Sequence, residues 1–389
     1  MQDEKRWIWQ DDRYPHFSYD KVKLNKSLLR VSQRSGRLDG ILTMLGVQKS
    51  NTLKVESSIN EIITSSQIEG EVLDRRSVRS SILKKMTGSV VQKDTSTKQT
   101  DGLAAMFMDS STNRSPLTVE RLNGWHHTLF PDGYSGLHQI NVARFREEEM
   151  SVVSYKSGRE QTHYIAPPPD ILAKEMEAFL AFVNNSEEDA YTKAAIAHFW
   201  FVTIHPYDDG NGRIARAITN YVLSKELGLN DGYYSISTAI VEDKKRYYDL
   251  LERHQKLLYN KHLEITDWIA WHTDMIDKAI EISLQHVQIA IQKANFWDRA
   301  REYPINTRQI KVLNKLLDVG VDGFEGGLST KKYISITKTS TATAKRDIAD
   351  LLSKKLIERV EGTAGRNVRY VVKYDKVQYP KRQTAYHSS

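Results

Sequence analysis

The segment from His205 to Arg216 constrains the fold of this 389-residue chain more than any other segment. The apolar stretch Ala190 to Ile204 predicts a helix that ends at His205, because Pro206 cannot donate the next backbone hydrogen bond. The glycines in Asp209-Gly210-Asn211-Gly212 predict a tight turn with little side-chain cover. A second helix is expected to start near Gly212, so its free N–H groups and the positive end of its dipole form an anion site.

The charged side chains around this turn suit a polyphosphate. Arg213 and Arg216 are three residues apart and share one helical face, where two guanidinium groups can hold phosphate oxygens. Asp209 offers the carboxylate that Mg²⁺ takes when it also binds phosphates. His205 lies across the turn, with an ordinary pKa that suits a general base near neutrality. A plain loop with a core histidine is the alternative, but it does not account for all these groups in one short segment.

The same segment closely resembles the signature of the Fic family, His-Pro-Phe-x-Asp/Glu-Gly-Asn-Gly-Arg-x-x-Arg, with Tyr207 where phenylalanine is usual. The resemblance implies a mainly α fold with a helical core over residues 115–260. It also implies transfer of AMP from ATP to a Ser, Thr or Tyr hydroxyl, with Mg²⁺ as cofactor. His205 would be the catalytic base and Asp209 the magnesium ligand. The resemblance also assigns ATP binding to Gly210, Asn211, Gly212, Arg213, Ile214, Ala215 and Arg216. Within this set, Asn211 and Gly212 would contact the α/β-phosphates, Arg213 the region of the β-phosphate and Arg216 the γ-phosphate.

Two weaker resemblances lie on either side of the signature. Strands at Ser151–Tyr155 and His163–Ile165, joined by a polar turn over Lys156–Gln161, predict a hairpin that resembles the family's flap, which pairs with an extended target segment. The flap positions, which the resemblance assigns to the ATP site, are Thr162, His163, Tyr164 and Ile165. The stretch Asp243–Gln255 resembles the helix that packs a tyrosine on adenine, with Tyr247 on the ring and Gln255 at the base edge. An ordinary surface hairpin and simple packing aromatics stay open as alternatives.

An inhibitory element is expected far upstream. Ser65-Ser66-Gln67-Ile68-Glu69-Gly70 resembles the family's Ser/Thr-x-x-x-Glu-Gly/Asn motif, and its place ahead of the core matches class II bacterial members. Gly70 is expected to end the helix, which puts Glu69 in its last turn, where a carboxylate is unfavourable unless a cation meets it. Arg216 is the expected cation. A Glu69–Arg216 pair would leave ATP without the group that orients its γ-phosphate. The resemblance therefore assigns Ser65, Glu69 and Gly70 to inhibition. It also places Glu69 at the ATP site. A solvated helix face is the alternative.

The organisation along the chain follows from these motifs. We expect an N-terminal helical domain at 1–114, the catalytic domain at 115–260, a connecting helix at 261–302 and a polar tail at 376–389. Residues 303–375 predict helices at Thr307–Leu317 and Leu328–Ile334, a third helix capped by Ser340, and a hairpin of Leu356–Val360 and Arg369–Val372. Three helices and a hairpin resemble a winged helix-turn-helix.

The excess positive charge supports a nucleic-acid partner for that last region. Residues 301–389 hold 18 basic and 9 acidic side chains, whereas the whole chain has a net charge of only +7. The residues expected to meet DNA are Thr341, Thr343, Lys345, Arg346, Arg366 and Arg369. Protein docking or support of a homodimer is the alternative, because many winged helices do not bind DNA.

Composition excludes several other classes. The chain has no cysteine, which rules out disulfides and thiolate metal sites. No apolar run reaches the roughly 18 residues that a membrane span needs, and the charged start lacks a secretory signal. We therefore expect a cytoplasmic bacterial protein with no membrane partner. Its target would be another protein or the chain itself.

Three functions remain in consideration. The first is the autoinhibited AMP transferase. The second is a DNA-binding regulator whose Fic-like core senses a nucleotide without chemistry. The third is a Fic enzyme that removes AMP, with Glu69 orienting water, or transfers another phosphate-containing group. The intact histidine, carboxylate and arginines favour an enzyme over a sensor.

Overall fold

A computed structural model describes residues 5–45, 47–88, 94–156, 159–228, 232–318 and 327–373. Contacts divide the chain into two compact units, Met1–Leu284 and Gln285–Ser389. The fold is mainly α-helical, as the sequence predicts. Among the described residues, no helix combines the length and apolar character needed to cross a bilayer.

Most of the first unit is built from helices. They are α1 (Lys21–Leu45), α2 (Val47–Ile68), α3 (Arg75–Thr87), α4 (Lys98–Thr112), α5 (Val119–Leu129), α6 (Leu172–Asn185), α7 (Ala190–Ile204), α8 (Asn211–Leu227), α9 (Ile236–Glu242) and α10 (Lys244–Gln255). A longer helix, α11 (Thr266–Ala300), begins in this unit.

Helix α7 lies at the centre of the first unit. Every one of its residues is buried, which is typical of a helix that is apolar all round and belongs to a core. The Asp189 carboxylate caps its start by accepting from the amides of Tyr191 and Thr192. It ends at Ile204, as predicted, and packs against α8. The turn between these two helices is therefore held by the best-buried part of the unit.

Short antiparallel ribbons complete this unit. Strands β1 (Tyr134–Ser135) and β2 (His138–Gln139) form one, and β3 (Ser151–Lys156) and β4 (Arg159–Ile165) form the predicted hairpin, with a bulge between Val152 and Val153. The polar turn predicted over Lys156–Gln161 is wrong in extent. Lys156 pairs with Arg159 and Ser154 with Gln161, because a two-stranded ribbon tolerates polar residues on its solvated faces. Residues 157–158 of that turn lie outside the described residues.

The second unit has three helices, α12 (Thr307–Leu317), α13 (Thr330–Thr337) and α14 (Thr341–Ser353), followed by strands β5 (Ile357–Arg359) and β6 (Tyr370–Val372). The helix predicted at Leu328–Ile334 is wrong in position. Leu328 instead exchanges two backbone hydrogen bonds with Tyr370, at 2.8 and 2.9 Å, and Ser329 caps α13. The hairpin strands are shorter than predicted, and the expected tail at 376–389 lies outside the described residues. Buried side chains from all these elements form one core, including Val312, Leu313, Leu316, Tyr333, Ile348, Leu351 and Val372.

Candidate active site

His205 is the residue that ends α7. Its backbone is left-handed, with φ +51°, a conformation that non-glycine residues adopt rarely and mostly at functional sites. The ring Nδ1 lies 3.2 Å from the Val202 carbonyl, which can only accept, so the proton is on Nδ1 and Nε2 keeps its lone pair. Burial lowers the pKa of His205 to about 4, well below the near-neutral value expected from the sequence. The imidazole is therefore neutral at physiological pH.

A buried arginine that sequence reasoning missed fixes the backbone around this histidine. Arg146 donates from Nε to the His205 carbonyl at 2.8 Å and from another nitrogen to the Pro167 carbonyl beyond β4. Its own amide donates to the Pro206 carbonyl at 2.9 Å. One guanidinium thus ties the end of α7 to the exit of the hairpin. Nothing in the local sequence around Arg146 signals this role, because its partners are backbone carbonyls distant in the chain.

Asp209 lies in the turn, with its side chain 42% exposed. It accepts from the Ser135 hydroxyl and from the Gly210 amide at 2.5 Å, and it lies 3.7 Å from Arg213. His126, also missed from the sequence, accepts from the Ala143 amide on Nδ1, so its Nε2 donates to the Asp209 carbonyl at 3.2 Å. The described residues contain no group of three or more side chains that could hold a metal. This single carboxylate fits Mg²⁺, which keeps several waters and shares its coordination with phosphates.

The tyrosine that replaces the usual phenylalanine is fully accommodated. Tyr207 is buried and stacks on His126, with ring centroids 4.2 Å apart. Its hydroxyl donates to Asn123 Oδ1 at 2.9 Å, which supplies the partner that a buried phenol requires.

Asn211 holds the turn with its side chain. Its Oδ1 accepts from the Tyr207 amide at 3.0 Å, and its Nδ2 donates to the Tyr207 carbonyl at 2.7 Å. The Ile214 amide already bonds to the Gly210 carbonyl, and the Ile214 and Ala215 side chains are completely buried. The Asn211 side chain is thus engaged within the turn, and the ATP contacts predicted for Ile214, Ala215 and Asn211 stay predictions. The amides at the very start of α8, before the first helical bond, are the groups left for an anion.

Arg216 is only 1% exposed and is held entirely by the end of α2. It donates to Ser65 Oγ at 2.8 Å, to the Ser65 carbonyl at 2.9 Å and to Glu69 Oε1 at 2.8 Å. The predicted Glu69–Arg216 pair is present. Glu69 itself follows the last residue of α2 instead of lying in its last turn, and Gly70 takes a left-handed φ of +86° just beyond it.

The Glu69 carboxylate also lies directly over the start of α8. A Cβ at Gly212 would clash with Glu69 Oε1 and come within 3.1 Å of its Cδ. A side chain at residue 212 would therefore force the Glu69 carboxylate to shift away from the start of α8.

Arg213 has an acidic partner that the sequence analysis did not identify. It is 3% exposed, donates to Glu71 Oε1 at 2.8 Å and stacks over the Phe130 ring at 5.0 Å. Glu71 lies two residues after Glu69. The presence of a second carboxylate, Glu71, so close to Glu69 in the sequence could have predicted a partner for Arg213. Both signature arginines are thus paired with the same short segment.

A cavity of about 490 Å³ opens beside these groups. Of the residues predicted to bind ATP, it is lined by Glu69, His163, Tyr164, Gly212, Tyr247 and Gln255, together with the predicted base His205. It is also lined by residues that the sequence analysis missed, namely Val152, Val153, Ser154, Val202, Tyr248, Asp249, Leu251 and Glu252. Its size is that of an ordinary small-ligand pocket.

Thr162 and Ile165 do not line this cavity. They line a different cavity beside Trp7 and Lys256. The Ile165 carbonyl accepts from the Trp9 indole at 2.8 Å, which holds this end of β4 against the N-terminal segment. The structure thus places Thr162 and Ile165 beside another cavity, and their role in ATP binding stays a prediction.

The hairpin is anchored by the two residues that do reach the cavity. Tyr164 donates its hydroxyl to the Thr203 carbonyl at 2.7 Å and packs edge-on against Trp7. His163 Nδ1 lies 2.8 Å from Glu252 on α10. The strand is therefore fixed both to α7 and to the helix that carries Tyr247.

The predicted nucleobase residues lie on one wall of the cavity and are almost fully buried. The Tyr247 hydroxyl bonds to His198 Nε2 at 3.1 Å, and His198 Nδ1 bonds to Thr219 at 3.0 Å. Gln255 donates to Thr203 Oγ1 at 3.2 Å. A flat aromatic wall with fixed polar groups suits a planar base.

Comparison with known proteins agrees with this geometry. The Fic/DOC family matches residues 116–223, and a domain of unknown function, DUF4172, matches residues 7–87. The chain is 28% identical over 119 residues to a uridine 5'-monophosphate transferase of Xanthomonas campestris pv. campestris, covering 28% of this chain and 22% of that protein. It is 24% identical over 304 residues to a protein adenylyltransferase Fic of Drosophila virilis, covering 75% and 53%. The chain therefore spans about a fifth to a half of the length of these relatives.

A solved structure has the same fold. A Fic family protein from Desulfovibrio desulfuricans superimposes with a TM-score of 0.53 at 18% sequence identity. The alignment covers 92% of this chain and 97% of that chain. At this identity the similarity concerns the fold.

Proposed function

Since the chain contains a Fic/DOC domain at residues 116–223, we propose that it transfers AMP from ATP to a hydroxyl group of a protein. The observation that carries the proposal is the cavity that brings the lone pair of His205, the start of α8 and the Tyr247 wall together. A triphosphate on the helix start and a base on the aromatic wall would place the α-phosphate near His205. The name of the Drosophila relative supports AMP as the transferred group.

The proposed reaction is a substitution at phosphorus. The hydroxyl oxygen of the target forms a bond to the α-phosphorus, and the bond from that phosphorus to the bridging oxygen of the β-phosphate breaks. Pyrophosphate leaves, and the hydroxyl proton passes to Nε2 of His205. Because the pKa of His205 is lowered to about 4, the base is unprotonated and ready at neutral pH.

The start of α8 and the nearby charges would stabilise the phosphates. The free amides and the helix dipole favour negative charge at this point, and Arg213 supplies a guanidinium beside them. Asp209 is the residue that would hold Mg²⁺. When bound, this ion would neutralise charge on the phosphates.

We also infer that the resting site is inhibited by its own carboxylates. Glu69 pairs with Arg216 and Glu71 pairs with Arg213, so a carboxylate already balances the charge of each guanidinium in this arrangement, although, within the described part of the chain, Nη1 of Arg216 and Nε of Arg213 keep unpaired donors. The carboxylate of Glu69 lies against Gly212, where its charge would repel an incoming phosphate. Activation would require the segment after α2 to move away.

Intact mass after incubation with ATP and Mg²⁺ tests both proposals. We expect an AMP-sized gain in Glu69→Gly that is smaller in the wild type and falls about 100-fold or more in rate in Glu69→Gly/His205→Ala. His127→Ala in the Glu69→Gly background is a matched control, because His127 is an exposed histidine of α5. It should keep the gain.

Each of these measurements can contradict one part of the proposed function. An unchanged rate in the His205→Ala double variant would exclude His205 as the base. An equal gain in the wild type and in Glu69→Gly would exclude inhibition by Glu69. A gain of UMP mass from UTP that exceeds the gain from ATP would replace AMP by UMP, the group named for the Xanthomonas relative.

A further inference from the structure

We propose that the second unit binds double-stranded DNA, with the first half of α14 lying in the major groove. This inference is independent of nucleotide transfer, because all the residues involved lie between 306 and 373. It follows from the fixed geometry of α14, from the charge it exposes and from the kind of surface around it.

Helices α13 and α14 are joined by a tight turn. Lys338 ends α13 in a left-handed conformation, with φ +54°. Ser340 caps α14 by accepting from the Thr343 amide at 3.2 Å. Two short helices joined by about three residues form a helix-turn-helix, in which the second helix is the one that enters a groove.

A buried carboxylate fixes the orientation of α14. Asp347 is 5% exposed and accepts from the Tyr333 hydroxyl at 2.9 Å, from Arg308 Nε at 2.8 Å and from Asn306 Nδ2 at 3.1 Å. These partners come from α13 and from the start of α12. A fully partnered polar network of this kind specifies one arrangement of the three helices. The opposite side of α14 is therefore presented in a defined direction.

The presented side is polar and basic. Ala344, Asp347, Ile348 and Leu351 are buried, whereas Thr341, Lys345 and Arg346 are exposed. Among the described residues, neither Lys345 nor Arg346 forms an ion pair closer than 4.0 Å. Their charges are available to an external anion.

The charge around this helix is predominantly positive. Residues 327–373 contain 11 basic and 4 acidic side chains. Of the acidic groups, Asp347 is buried in the network and Asp350 pairs with Lys354 at 2.6 Å. Arg359 is exposed on β5, beside β6, which the Leu328–Tyr370 pairing anchors to the unit. A surface of this kind attracts a polyanion over a wide area.

The surface fits nucleic acid better than a protein. Among the described residues of 327–373, no large hydrophobic side chain is exposed. Cores of protein interfaces are enriched in aromatic residues and depleted of lysine, the reverse of what α14 offers. An α-helix fits the major groove of B-form DNA, whereas the deep, narrow major groove of A-form RNA excludes it.

Fluorescence anisotropy of the intact chain with a labelled mixed-sequence DNA duplex of about 20 base pairs tests the proposal. We expect a dissociation constant at micromolar level or tighter at about 50 mM salt, weakening steeply by about 200 mM salt. Lys345→Glu/Arg346→Glu should weaken binding at least about tenfold and reduce the slope of log affinity against log salt by about two. Lys311→Glu/Lys315→Glu is the matched control, because it makes the same change of charge at exposed positions of α12. It should have a clearly smaller effect.

Three results would overturn the proposal. Equal losses of DNA affinity in the two double variants would show that DNA responds to the net charge of the unit and does not bind α14 in particular. Equal affinity for an A-form RNA duplex of the same sequence would contradict insertion into the major groove. Absence of duplex binding by the wild type at about 50 mM salt would leave protein docking as the function of this unit. The melting temperature of each variant shows that a loss does not come from unfolding.

Discussion

The starts of α8 and α14 carry similar basic side chains but use them in opposite ways. Helix α8 is preceded by Gly210, which has no side chain to cap it, so its first amides remain for a ligand. Helix α14 is preceded by Ser340, whose hydroxyl already satisfies the Thr343 amide. The first helix start is thus suited to bind phosphate with its backbone. In the second, the Ser340 cap satisfies one of the first amides, and the exposed side chains of Lys345 and Arg346 supply the positive charge.

Burial explains why the arginines of α8 have acidic partners whereas, among the described residues, the basic residues of α14 have none. Arg213 and Arg216 are almost fully buried, so each must have a partner, and Glu71 and Glu69 supply it within the same chain. Lys345 and Arg346 are hydrated by solvent and need none. The buried cationic site is therefore paired with carboxylates of the same chain in this structure. An exposed cationic surface is available at all times.

The largest expected difference between the two units is their response to acid. His198 and His272 are completely buried near α8, and burial lowers the pKa of His272 to about 3 and that of His198 well below its usual value. The unfolded chain therefore binds more protons than the folded one from about pH 6.5 downwards, and stability falls as the pH falls. Each histidine should cost the first unit about 2 kcal/mol of unfolding free energy between pH 7 and pH 5.

The second unit is the internal control for this prediction. Its described residues include no buried histidine, and the pKa of Asp350 is lowered by its hydrogen bond with Lys354, so this carboxylate loses its contribution only at more acidic pH. Hydrogen–deuterium exchange of peptides from α7 and from α14 in the intact chain measures both units in one sample. After correction for the slower intrinsic exchange at low pH, an equal loss of protection in both sets of peptides at pH 5 would contradict the comparison.

The next effect concerns the buried pair itself. Arg216→Met should destabilise the first unit by about 2 kcal/mol, because it leaves the buried Ser65 hydroxyl and the partly exposed Glu69 carboxylate without their donor. Lys345→Met, the same substitution type at the exposed helix start, should change stability by less than about 0.5 kcal/mol. Denaturant unfolding, followed by hydrogen–deuterium exchange in peptides of each unit, compares the stability losses of the two variants. A similar loss in both variants would show that burial does not distinguish the two regions.

The comparison also shows what the sequence could predict. Helix α7 and the Gly210 turn were predictable, because they depend on local periodicity and on a short signature with fixed spacing. The Glu69–Arg216 pair was expected only from the resemblance of Ser65–Gly70 to the inhibitory motif of the Fic family. The strand pairing of Leu328 with Tyr370 was not predictable, since it joins residues distant in the chain and overrides the local helix pattern.

Side-chain roles in the site were harder to predict than its position. The Asn211 side chain binds the backbone of Tyr207, because the turn needs its own hydrogen bonds satisfied first. The lowered pKa of His205 and the clamp formed by Arg146 depend on burial and on carbonyls brought together only by the fold. Thr162 and Ile165 belong to the correct strand, yet the N-terminal segment draws them to another cavity.

The smallest expected effect concerns the second carboxylate. Glu71→Gln should tighten ATP binding about fivefold, or about 1 kcal/mol, because it removes the charge that competes for Arg213. The effect should be smaller than that of Glu69→Gln, since the two carboxylates are similarly exposed, at 32% and 30%, but Glu69 also lies against Gly212 at the start of α8. Calorimetric titration with ATP and Mg²⁺ in a His205→Ala background measures affinity without turnover.

Glu56→Gln is the matched control for this titration. Glu56 also pairs with arginines, Arg75 and Arg79, but on an exposed surface of α2. Its substitution should leave ATP affinity unchanged, because exposed pairs contribute little and no phosphate is expected there. If Glu71→Gln changes affinity no more than Glu56→Gln, then Arg213 is free to bind phosphate despite its partner, and inhibition rests on Glu69 alone. If it matches Glu69→Gln, the two carboxylates act as one unit, and the start of α8 is controlled by the whole segment that follows α2.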